Sequence, residues 1–435
     1  MIKFFVRTFG CQMNEGDSER AAGILSGAGG ARVESAEEAD LVIVNTCAVR
    51  DKSEEKLFSY LGRLAQLKKR KPVRLGVIGC VAQLRGLELL GRRFTVDFVL
   101  GPDNYAELPR LLQTPAPEKF VATDWSTAWR ETPSGLIRRE SLTSAYVTVM
   151  EGCDNFCAYC VVPFTRGREK YRPLGSILDE VRDLARRGYK EVQLLGQNVN
   201  AYRDPETRVT FAGLLRRVSA VEGIGWLRFL TSHPRDFPDE IAEAMAERPN
   251  ICRQLHLPLQ SGSTAVLRRM RRGYTWEKYF DTVSRLRRFL PDLFLSTDII
   301  VGFPGETEAN FEETLDALRA IRFANIFSFR YSQRPLTRAA ELADDVVEIE
   351  KRRRLTAVQG LQKELQLEMN GRRIGQVQKV LCQGPAKKTP HLFAGRNEAN
   401  QVVNFSSPGS CSGEFVSVRI TGFGPYSLRG EQVSP

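Results

Sequence analysis

Three cysteines lie close together in the stretch EGCDNFCAYC, at Cys153, Cys157 and Cys160. A structural zinc ion takes four protein ligands, and a four-iron cluster normally takes four thiolates. Three cysteines therefore either borrow a ligand from elsewhere in the chain or leave one metal position open. An open position is what a catalytic metal centre needs, and what a structural metal site lacks.

A second set of three cysteines is spread along the first part of the chain, at Cys11, Cys47 and Cys80. They follow the segments RTFG, VNT and VIG, each of which is predicted to end a β-strand. Because the carboxyl ends of parallel strands converge on one crevice, the three thiols are expected to meet. A single cysteine at such a place is usually a small buried hydrophobe, but three at equivalent positions favour a metal site. Since the two trios belong to different sheets, two separate sites are predicted.

The elements that must position these cysteines form an α/β protein in several parts. Strand and helix patterns alternate over residues 1–112, which predicts a parallel sheet. Residues 113–143 contain three prolines without clear periodicity and are predicted to be a linker. Six strand–helix units over 144–370 predict a partial (β/α)6 barrel with its site at the strand carboxyl ends. Short strand patterns separated by Gly, Pro and Asn over 371–435 predict a small antiparallel β-barrel.

Composition limits the classes of function that fit the chain. With 435 residues, nine cysteines and no long apolar run, the chain is predicted to be cytoplasmic, without a membrane span and without disulfides. The only histidines are His233, His256 and His391, so a histidine-rich metal site or a Ser/His/Asp hydrolase is hard to build. The net charge of +11 permits a polyanionic partner. Residues 371–435 hold eight Lys and Arg against three Glu.

The motifs around both trios resemble those of the radical S-adenosylmethionine (SAM) methylthiotransferases. GCQMNEGDSE, NTCAVRDKSEEK and GCVAQ are similar to the N-terminal domain of that family. EGCDNFCAYCVVPFTRGREKYRP, LLGQNVNAY, LHLPLQSGS and STDIIVGFPGET are similar to its central radical SAM domain, and GRNEANQVVNF to its TRAM domain. The resemblance covers nearly the whole chain except the predicted linker.

This resemblance implies two 4Fe-4S clusters, each held by one trio of cysteines. SAM would bind the open iron of the cluster on Cys153, Cys157 and Cys160, and be cleaved there to a 5′-deoxyadenosyl radical. The cluster on Cys11, Cys47 and Cys80 would hold the sulfur to be donated. The motifs GCQMN, VVPFTRG and GQNVNAY are most similar to those of one branch of the family. That branch adds a methylthio group to carbon 2 of isopentenylated adenosine at position 37 of tRNA. The expected partners are the anticodon stem-loop and an electron donor, and the protein is expected to be a monomer.

Four residues are candidates for binding SAM. Tyr159 stands where the superfamily usually places an aromatic residue beside the SAM adenine, although plain loop packing explains it equally well. Gln197, Gln260 and Asp298 follow or end predicted strands, where barrel sites assemble, and would bind the amine, carboxylate or ribose of SAM. A structural capping role remains open for each of them.

Two other classes of function remain open. A sibling methylthiotransferase modifies an aspartate of a ribosomal protein, and another acts on threonylcarbamoyl-adenosine in tRNA; the cysteines do not separate them. A zinc-bearing RNA-binding protein would explain the basic tail, residues 371–435, but would lack a fourth ligand at both zinc sites.

The remaining candidate residues either belong to the basic tail or are explained by packing in the protein core. The basic tail is predicted to clamp tRNA, with Arg396 as a phosphate contact and Phe405 in the barrel core. Cys252, Cys382 and Cys411 are read as buried hydrophobes, and His256 as a core histidine.

Overall fold

The computed structural model describes residues 1–91, 94–113 and 118–433. Residues 114–117 of the predicted linker and the last two residues of the predicted barrel lie outside the described part. The strands are β1 Lys3–Phe9, β2 Ala31–Arg32, β3 Leu41–Thr46, β4 Arg74–Ile78, β5 Phe98–Leu100, β6 Phe120–Ala122, β7 Ser144–Thr148, β8 Met150–Glu151, β9 Lys170–Tyr171, β10 Glu191–Leu195, β11 Trp226–Phe229, β12 Gln254–His256, β13 Phe294–Val301, β14 Asn325–Arg330, β15 Val377–Ala386, β16 Thr389–Asn397, β17 Val402–Ser406, β18 Phe415–Phe423 and β19 Ser427–Val433.

The α-helices connect these strands in the first two parts of the chain. They are α1 Gln12–Gly27, α2 Asp51–Arg70, α3 Cys80–Arg85, α4 Val162–Thr165, α5 Leu174–Arg186, α6 Phe211–Ser219, α7 Asp239–Glu247, α8 Thr264–Arg269, α9 Trp276–Phe289, α10 Glu308–Ile321 and α11 Glu348–Gly371. Short 3-10 helices occupy Gly86–Leu90, Pro102–Leu112, Ser134–Leu136, Val199–Ala201, Pro234–Asp236 and Arg338–Glu341.

The N-terminal sheet has six parallel strands in the order β2-β1-β3-β4-β5-β6. Every residue of β3 is buried, as expected of a parallel strand covered by helices on both faces. The sheet corrects one prediction. Strand β6 pairs with β5, so residues 120–122 belong to this sheet although they fall within the predicted linker 113–143.

Helix α2 is amphipathic in a way that matters for the site. Leu57, Leu61 and Leu64 recur at helical spacing and are buried against the sheet. Burying each leucine contributes roughly 1.5–3 kcal/mol, which fixes the rotation of the helix. The opposite face is therefore presented to solvent.

The central domain is an incomplete barrel. Its strands form two parallel sheets, β11-β10-β7 and β12-β13-β14, joined by a single bridge between Leu227 and Ile251. Alternate residues face the helices and form the large apolar core. Among the described strands, β7 and β14 each pair with one neighbour only, so the barrel is open between them.

The N-terminal domain lies across this open side. A Cβ atom placed on Gly16 of α1 would be 3.8 Å from Tyr146 on β7. The hydroxyl of Tyr146 donates to Glu15 at 3.0 Å. Arg20 pairs with Glu151 at 2.9 Å. The first trio is thereby held beside the central domain.

The C-terminal domain is a closed barrel in the order β15-β16-β17-β19-β18. It corrects the prediction of a purely antiparallel barrel, because β17 and β19 run parallel while the other neighbouring pairs are antiparallel. Phe405 is fully buried in its core, as expected, together with Cys382 and Cys411. Cys252 is also buried, beneath the barrel, between Trp226 and Leu381.

The C-terminal barrel is docked on the central domain through a buried arginine. Arg228 donates to the carbonyl oxygens of Glu398 at 2.5 Å and Asn397 at 2.8 Å, while its Nε binds Glu191 at 2.7 Å. Arg396 lies in the same region, half-buried, and donates to the carbonyl of Asn400. Burial lowers the pKa of Arg396. Arg396 therefore faces the domain junction, which does not suit the phosphate contact predicted for it.

None of the described helices combines the length and the apolar character needed to cross a bilayer.

Candidate metal and cofactor site

The first trio gathers at the carboxyl ends of β1, β3 and β4. Cys11 is the residue before α1, Cys47 follows β3, and Cys80 is the first residue of α3. Cys11 Sγ donates to Asn14 Oδ1 at 3.3 Å, and the Val49 N–H donates to Cys47 Sγ at 3.4 Å. The neighbouring Cys47 thiol lowers the pKa of Cys11 to about 6, while Cys11 and burial raise that of Cys47. Cys11 and Cys47 therefore follow neighbouring strands, and Cys80 follows the next strand of the sheet, while their shared binding of a cluster stays a prediction.

A buried polar network supports the first trio. Asn14 Nδ2 donates to Asn45 Oδ1 at 2.9 Å, and Asn45 donates back to the Asn14 carbonyl at 2.9 Å. Gly79, between β4 and Cys80, has a φ of +87°, and a Cβ there would lie 2.2 Å from Asn45 Oδ1. Only glycine leaves room for the Asn45 side chain at this turn, which leads directly into Cys80.

An arginine from the central domain reaches the first trio. Arg166, directly after α4, donates from Nε to Cys80 Sγ at 3.2 Å. Its Nη2 forms an ion pair with Asp17 of α1. Both charged side chains are almost fully buried. Burial raises the pKa of the Cys80 thiol, and Arg166 opposes this rise. A cation placed here stabilises negative charge on sulfur.

The second trio lies on the loop between β8 and α4. Gly152 opens the loop with a φ of +82°, and a Cβ there would be 2.0 Å from the Arg168 carbonyl oxygen. Cys153 N–H donates to the Gly167 carbonyl at 3.2 Å, and Cys160 N–H to the Cys157 carbonyl at 3.0 Å. These main-chain bonds turn the loop back on itself. Burial raises the pKa of Cys160 to about 12.

A second buried arginine holds this loop. Arg272 donates to Cys157 Sγ at 3.2 Å and to the Pro258 carbonyl at 3.0 Å. Its Nε donates to the Tyr274 hydroxyl at 2.9 Å. Each trio is thus contacted by one buried arginine, Arg166 for the first and Arg272 for the second.

Two of the predicted SAM contacts lie in or next to the cysteine loop. Tyr159, between Cys157 and Cys160, is partly buried against the apolar cluster that contains Met270 and Phe303. Gln197 Oε1 accepts a hydrogen bond from Gly152 N–H at 2.7 Å. Gln197 therefore supports the loop, which is the structural role left open by the sequence, and its contact with SAM stays a prediction.

The other two candidates belong to the second sheet of the barrel, Gln260 after β12 and Asp298 in β13. Gln260 has a φ of +75° and its N–H donates to the Asp298 carbonyl at 2.8 Å. Asp298 Oδ2 lies 3.3 Å from His256 Nε2, and His256 Nδ1 lies 3.0 Å from Ser296 Oγ. His256 is thus a largely buried, hydrogen-bonded residue of the barrel interior. Beside it, Phe327 of β14 is 43% exposed.

Several buried polar atoms at the strand ends lack a hydrogen-bond partner in the described part of the chain. They are Asn198 Oδ1 after β10, Ser232 Oγ and His233 Nε2 after β11, and Gln260 Oε1 after β12. Leaving such atoms unpaired costs roughly 1–3 kcal/mol each. Burial and the neighbouring Arg272 lower the pKa of His233 to about 2, so its imidazole is neutral. These atoms suit a polar small molecule at this end of the barrel.

Among the described residues, no three His, Cys, Asp or Glu side chains converge on a point that would hold a single metal ion. In a four-iron cluster each cysteine binds a different iron, so the thiolates surround the cluster instead of meeting at one point. The donor set of three thiols at each site fits such a cluster.

Sequence reasoning missed Asn198, Ser232, Arg166 and Arg272. The first two also follow strands, so the signal that picked out Gln197 applied to them. The two arginines lie within the quoted motif VVPFTRG and within MRRGYT, but nothing in their spacing shows that they fold back onto cysteines.

Three family models match successive parts of the chain. They are the uncharacterized protein family UPF0004 over residues 3–101, the radical SAM superfamily over 147–318 and the TRAM domain over 371–433. Together with the incomplete barrel and the cysteine loop, they define a radical SAM protein.

Full-length relatives narrow the class. A protein of Geobacter metallireducens named tRNA-2-methylthio-N(6)-dimethylallyladenosine synthase is 45% identical, covering 98% of this chain and 97% of the relative. A protein of the same name from Chlorobium luteolum is 44% identical, covering 99% and 97%. The chain belongs to the tRNA-2-methylthio-N(6)-dimethylallyladenosine synthase family, within the radical SAM methylthiotransferases that its motifs resemble.

Solved structures agree on the fold. The radical SAM methyltransferase TsrM of Kitasatospora setae, with cobalamin and a 4Fe-4S cluster bound, has a TM-score of 0.54 and 15% identity, over 78% of this chain and 73% of that one. The cobalamin-dependent radical SAM enzyme OxsB has a TM-score of 0.51 and 11% identity, over 83% and 56%. At these identities the likeness concerns the fold alone.

Proposed function

We propose that this protein adds a methylthio group to carbon 2 of isopentenylated, that is dimethylallylated, adenosine in tRNA, using SAM and two 4Fe-4S clusters. The observation that carries the proposal is the presence of two separate sets of three cysteines at strand carboxyl ends, each contacted by one buried arginine. Full-length relatives bearing the matching name support the choice of substrate over the sibling substrates and over a zinc protein.

The reaction explains why cofactors are needed. Carbon 2 of adenine carries an unactivated C–H bond, and no side-chain acid or base replaces that hydrogen with sulfur at neutral pH. When bound, the clusters and SAM supply the radical and sulfur chemistry. The protein contributes position, charge and exclusion of water.

The residues of the chain have distinct tasks in this proposal. Cys153, Cys157 and Cys160 would hold one cluster, with Gly152 and Arg272 fixing the loop. Cys11, Cys47 and Cys80 would hold the other, with Arg166 placing a positive charge beside it. The unpaired oxygen of Gln260 is a ready acceptor for the SAM ammonium, and Tyr159, Gln197 and Asp298 are further proposed contacts.

The substrate base is proposed to enter the open side of the barrel. The interior there is polar and ends in Phe327, an exposed aromatic surface on which a base can stack. To reach it, the adenosine must leave the anticodon-loop stack, at a cost of a few kcal/mol. An external electron donor and a monomeric enzyme complete the proposal.

The test uses anaerobically reconstituted protein with SAM, a reductant and isopentenylated tRNA. Mass spectrometry of the digested tRNA should show the 2-methylthio nucleoside, and tRNA without the isopentenyl group should give little or none. Iron analysis should give about eight atoms per chain, against about four for a single cluster. A colourless, zinc-loaded protein without product would contradict the proposal.

A further inference from the structure

A basic groove runs along the N-terminal domain beside the open side of the barrel. It has a volume of about 890 Å³ and joins the end of β1, the start of α2 and Phe329 of β14. We name it the α2 groove. Its cationic lining residues are Arg7, Arg50, Lys52, Lys56 and Arg63.

The charge of the α2 groove is only partly neutralised by the protein. All five cations are exposed, and none takes part in an ion pair within the part of the chain that the structure describes. The groove also contains Glu15 and Glu55, so cations outnumber carboxylates. Glu15 in addition accepts the Tyr146 hydroxyl. Exposed arginines on other helices do form such pairs, as Arg182 does with Asp179.

Helix α2 explains the arrangement of the charges. Lys52, Lys56 and Arg63 recur on the face opposite the buried leucines, so the packing that fixes the helix also aligns these cations in one row. A row of unpaired cations that tracks a groove is the usual recognition surface for a nucleic-acid backbone.

The residues at the two ends of the α2 groove indicate which kind of molecule binds in it. Gly10 lines it, and a Cβ on Gly10 would lie 2.6 Å from Cys47, so one end abuts the first trio. Phe329 and Phe327 lie two residues apart on β14 and therefore share one face of the strand. That face contacts His256 in the barrel interior. A phosphate backbone lying in the groove would deliver a neighbouring base to the open side of the barrel.

We infer that the α2 groove binds the phosphate backbone of the substrate RNA next to the base that is modified. This inference rests on the proposed function and adds the N-terminal domain to the RNA-binding surface. An acidic protein electron donor is the less suitable occupant, because it would need to approach Cys153, Cys157 and Cys160, not the first trio.

The experiment compares two triple variants of the full-length, reconstituted protein. The test variant is Lys52→Gln, Lys56→Gln and Arg63→Gln. The control is Arg182→Gln, Arg186→Gln and Arg217→Gln, which removes the same charge from exposed positions in a second groove of about 890 Å³. All six residues are exposed, and circular dichroism checks that both variants are folded.

Binding of a labelled, isopentenylated anticodon stem-loop is measured by fluorescence anisotropy over a range of salt concentrations. The test variant should bind at least about tenfold more weakly at low salt, and its slope of log K against log salt should fall by about 2 to 3. The KM for RNA should rise while kcat at saturating RNA and RNA-independent SAM cleavage stay unchanged. The control should resemble the wild type.

Three results would overturn the inference. In the first, both variants lose affinity equally, which would show a general charge effect. In the second, the test variant binds RNA normally but turns over slowly with a protein electron donor and normally with a chemical reductant, which would make the groove a donor site while the proposed function stands. In the third, wild-type protein neither binds nor modifies the RNA, which would reject the proposed function as well.

Discussion

Arg166 donates a hydrogen bond from Nε to the Sγ atom of Cys80 at 3.2 Å, across the junction between the central and N-terminal domains. The same guanidinium pairs with Asp17, which is 1% exposed. One residue from the SAM-binding part of the chain therefore contacts the proposed sulfur-donating site.

Replacing Arg166 should separate its electrostatic role from its structural one. Arg166→Met leaves Asp17 buried with Arg20, at 3.6 Å, as its one remaining ion-pair partner among the described residues, which should cost about 3–5 kcal/mol of stability. The double variant Asp17→Asn with Arg166→Met should recover much of this loss in thermal melts. It should still form methylthio product about tenfold more slowly, because the donor to Cys80 is gone. Full recovery of product formation in the double variant would show that Arg166 acts only on stability.

The two trios should fail differently. Cys157→Ala should abolish SAM cleavage and leave iron on the first trio. Cys47→Ala should leave SAM cleavage to 5′-deoxyadenosine measurable and block sulfur insertion. Iron analysis and chromatography of SAM products check both variants. Loss of all iron from either single substitution would contradict the two-site proposal.

Gly152→Ala should damage the cysteine loop. The backbone there has a φ of +82°, and the new Cβ would lie 2.0 Å from a carbonyl oxygen, so the loop must move. We expect loss of iron from the second trio and loss of SAM cleavage. Gly175→Ala in α5 is the matched control, since a Cβ there meets nothing within 4 Å. It should be neutral or stabilise by about 0.4–1 kcal/mol. Normal iron content in Gly152→Ala would refute this account of the loop.

Stability should depend on pH through Glu19. Burial raises the pKa of this carboxyl to about 7 from 4.5, although the Glu140 N–H and Arg139 oppose the rise. Between these values the folded protein keeps a proton that the unfolded chain has lost, so stability falls as pH rises through this window.

Glu19→Gln should therefore flatten the pH dependence and stabilise the protein above pH 7, by at most about 3 kcal/mol. Melting temperatures at about pH 5 and about pH 8 check this. Glu38→Gln, at an exposed position, is the control. Parallel curves for Glu19→Gln and the wild type would show that Glu19 is not the cause.

The C-terminal barrel is still predicted to contact tRNA, but the structure changes how this is tested. Deleting residues 371–435 would expose the junction and leave Arg228 without its carbonyl partners. Substituting the exposed Lys387 and Lys388 by Gln avoids this. RNA affinity should weaken and the salt slope fall by about 1 to 2, with SAM cleavage unchanged. An unchanged slope would remove this hairpin from the RNA surface.

Hydrophobic periodicity and the positions of strand ends were enough to predict most of the strands that carry the cysteine sites. The six barrel strands and the cysteines at the ends of β1, β3 and β4 were expected, because each strand is an apolar run that stops at a turn. The strands β5 and β6 were missed because three residues are too few to show a pattern. The contact of Arg166 with Cys80 was also missed, because it depends on how two domains pack, and no local pattern encodes that packing.

The buried joint between Arg228 and the C-terminal barrel uses main-chain carbonyl oxygens of Asn397 and Glu398. Every amino acid carries such an oxygen, so these two bonds survive changes of side chain at the turn. These two bonds therefore depend on the arginine and not on the side chains of the turn, although the Glu398 carboxylate also accepts the Arg253 N–H at 3.0 Å. A different barrel grafted at this junction would have to present two carbonyl oxygens to Arg228 and an apolar surface to Trp226 and Cys252, and the cysteine sites would not need to be rebuilt.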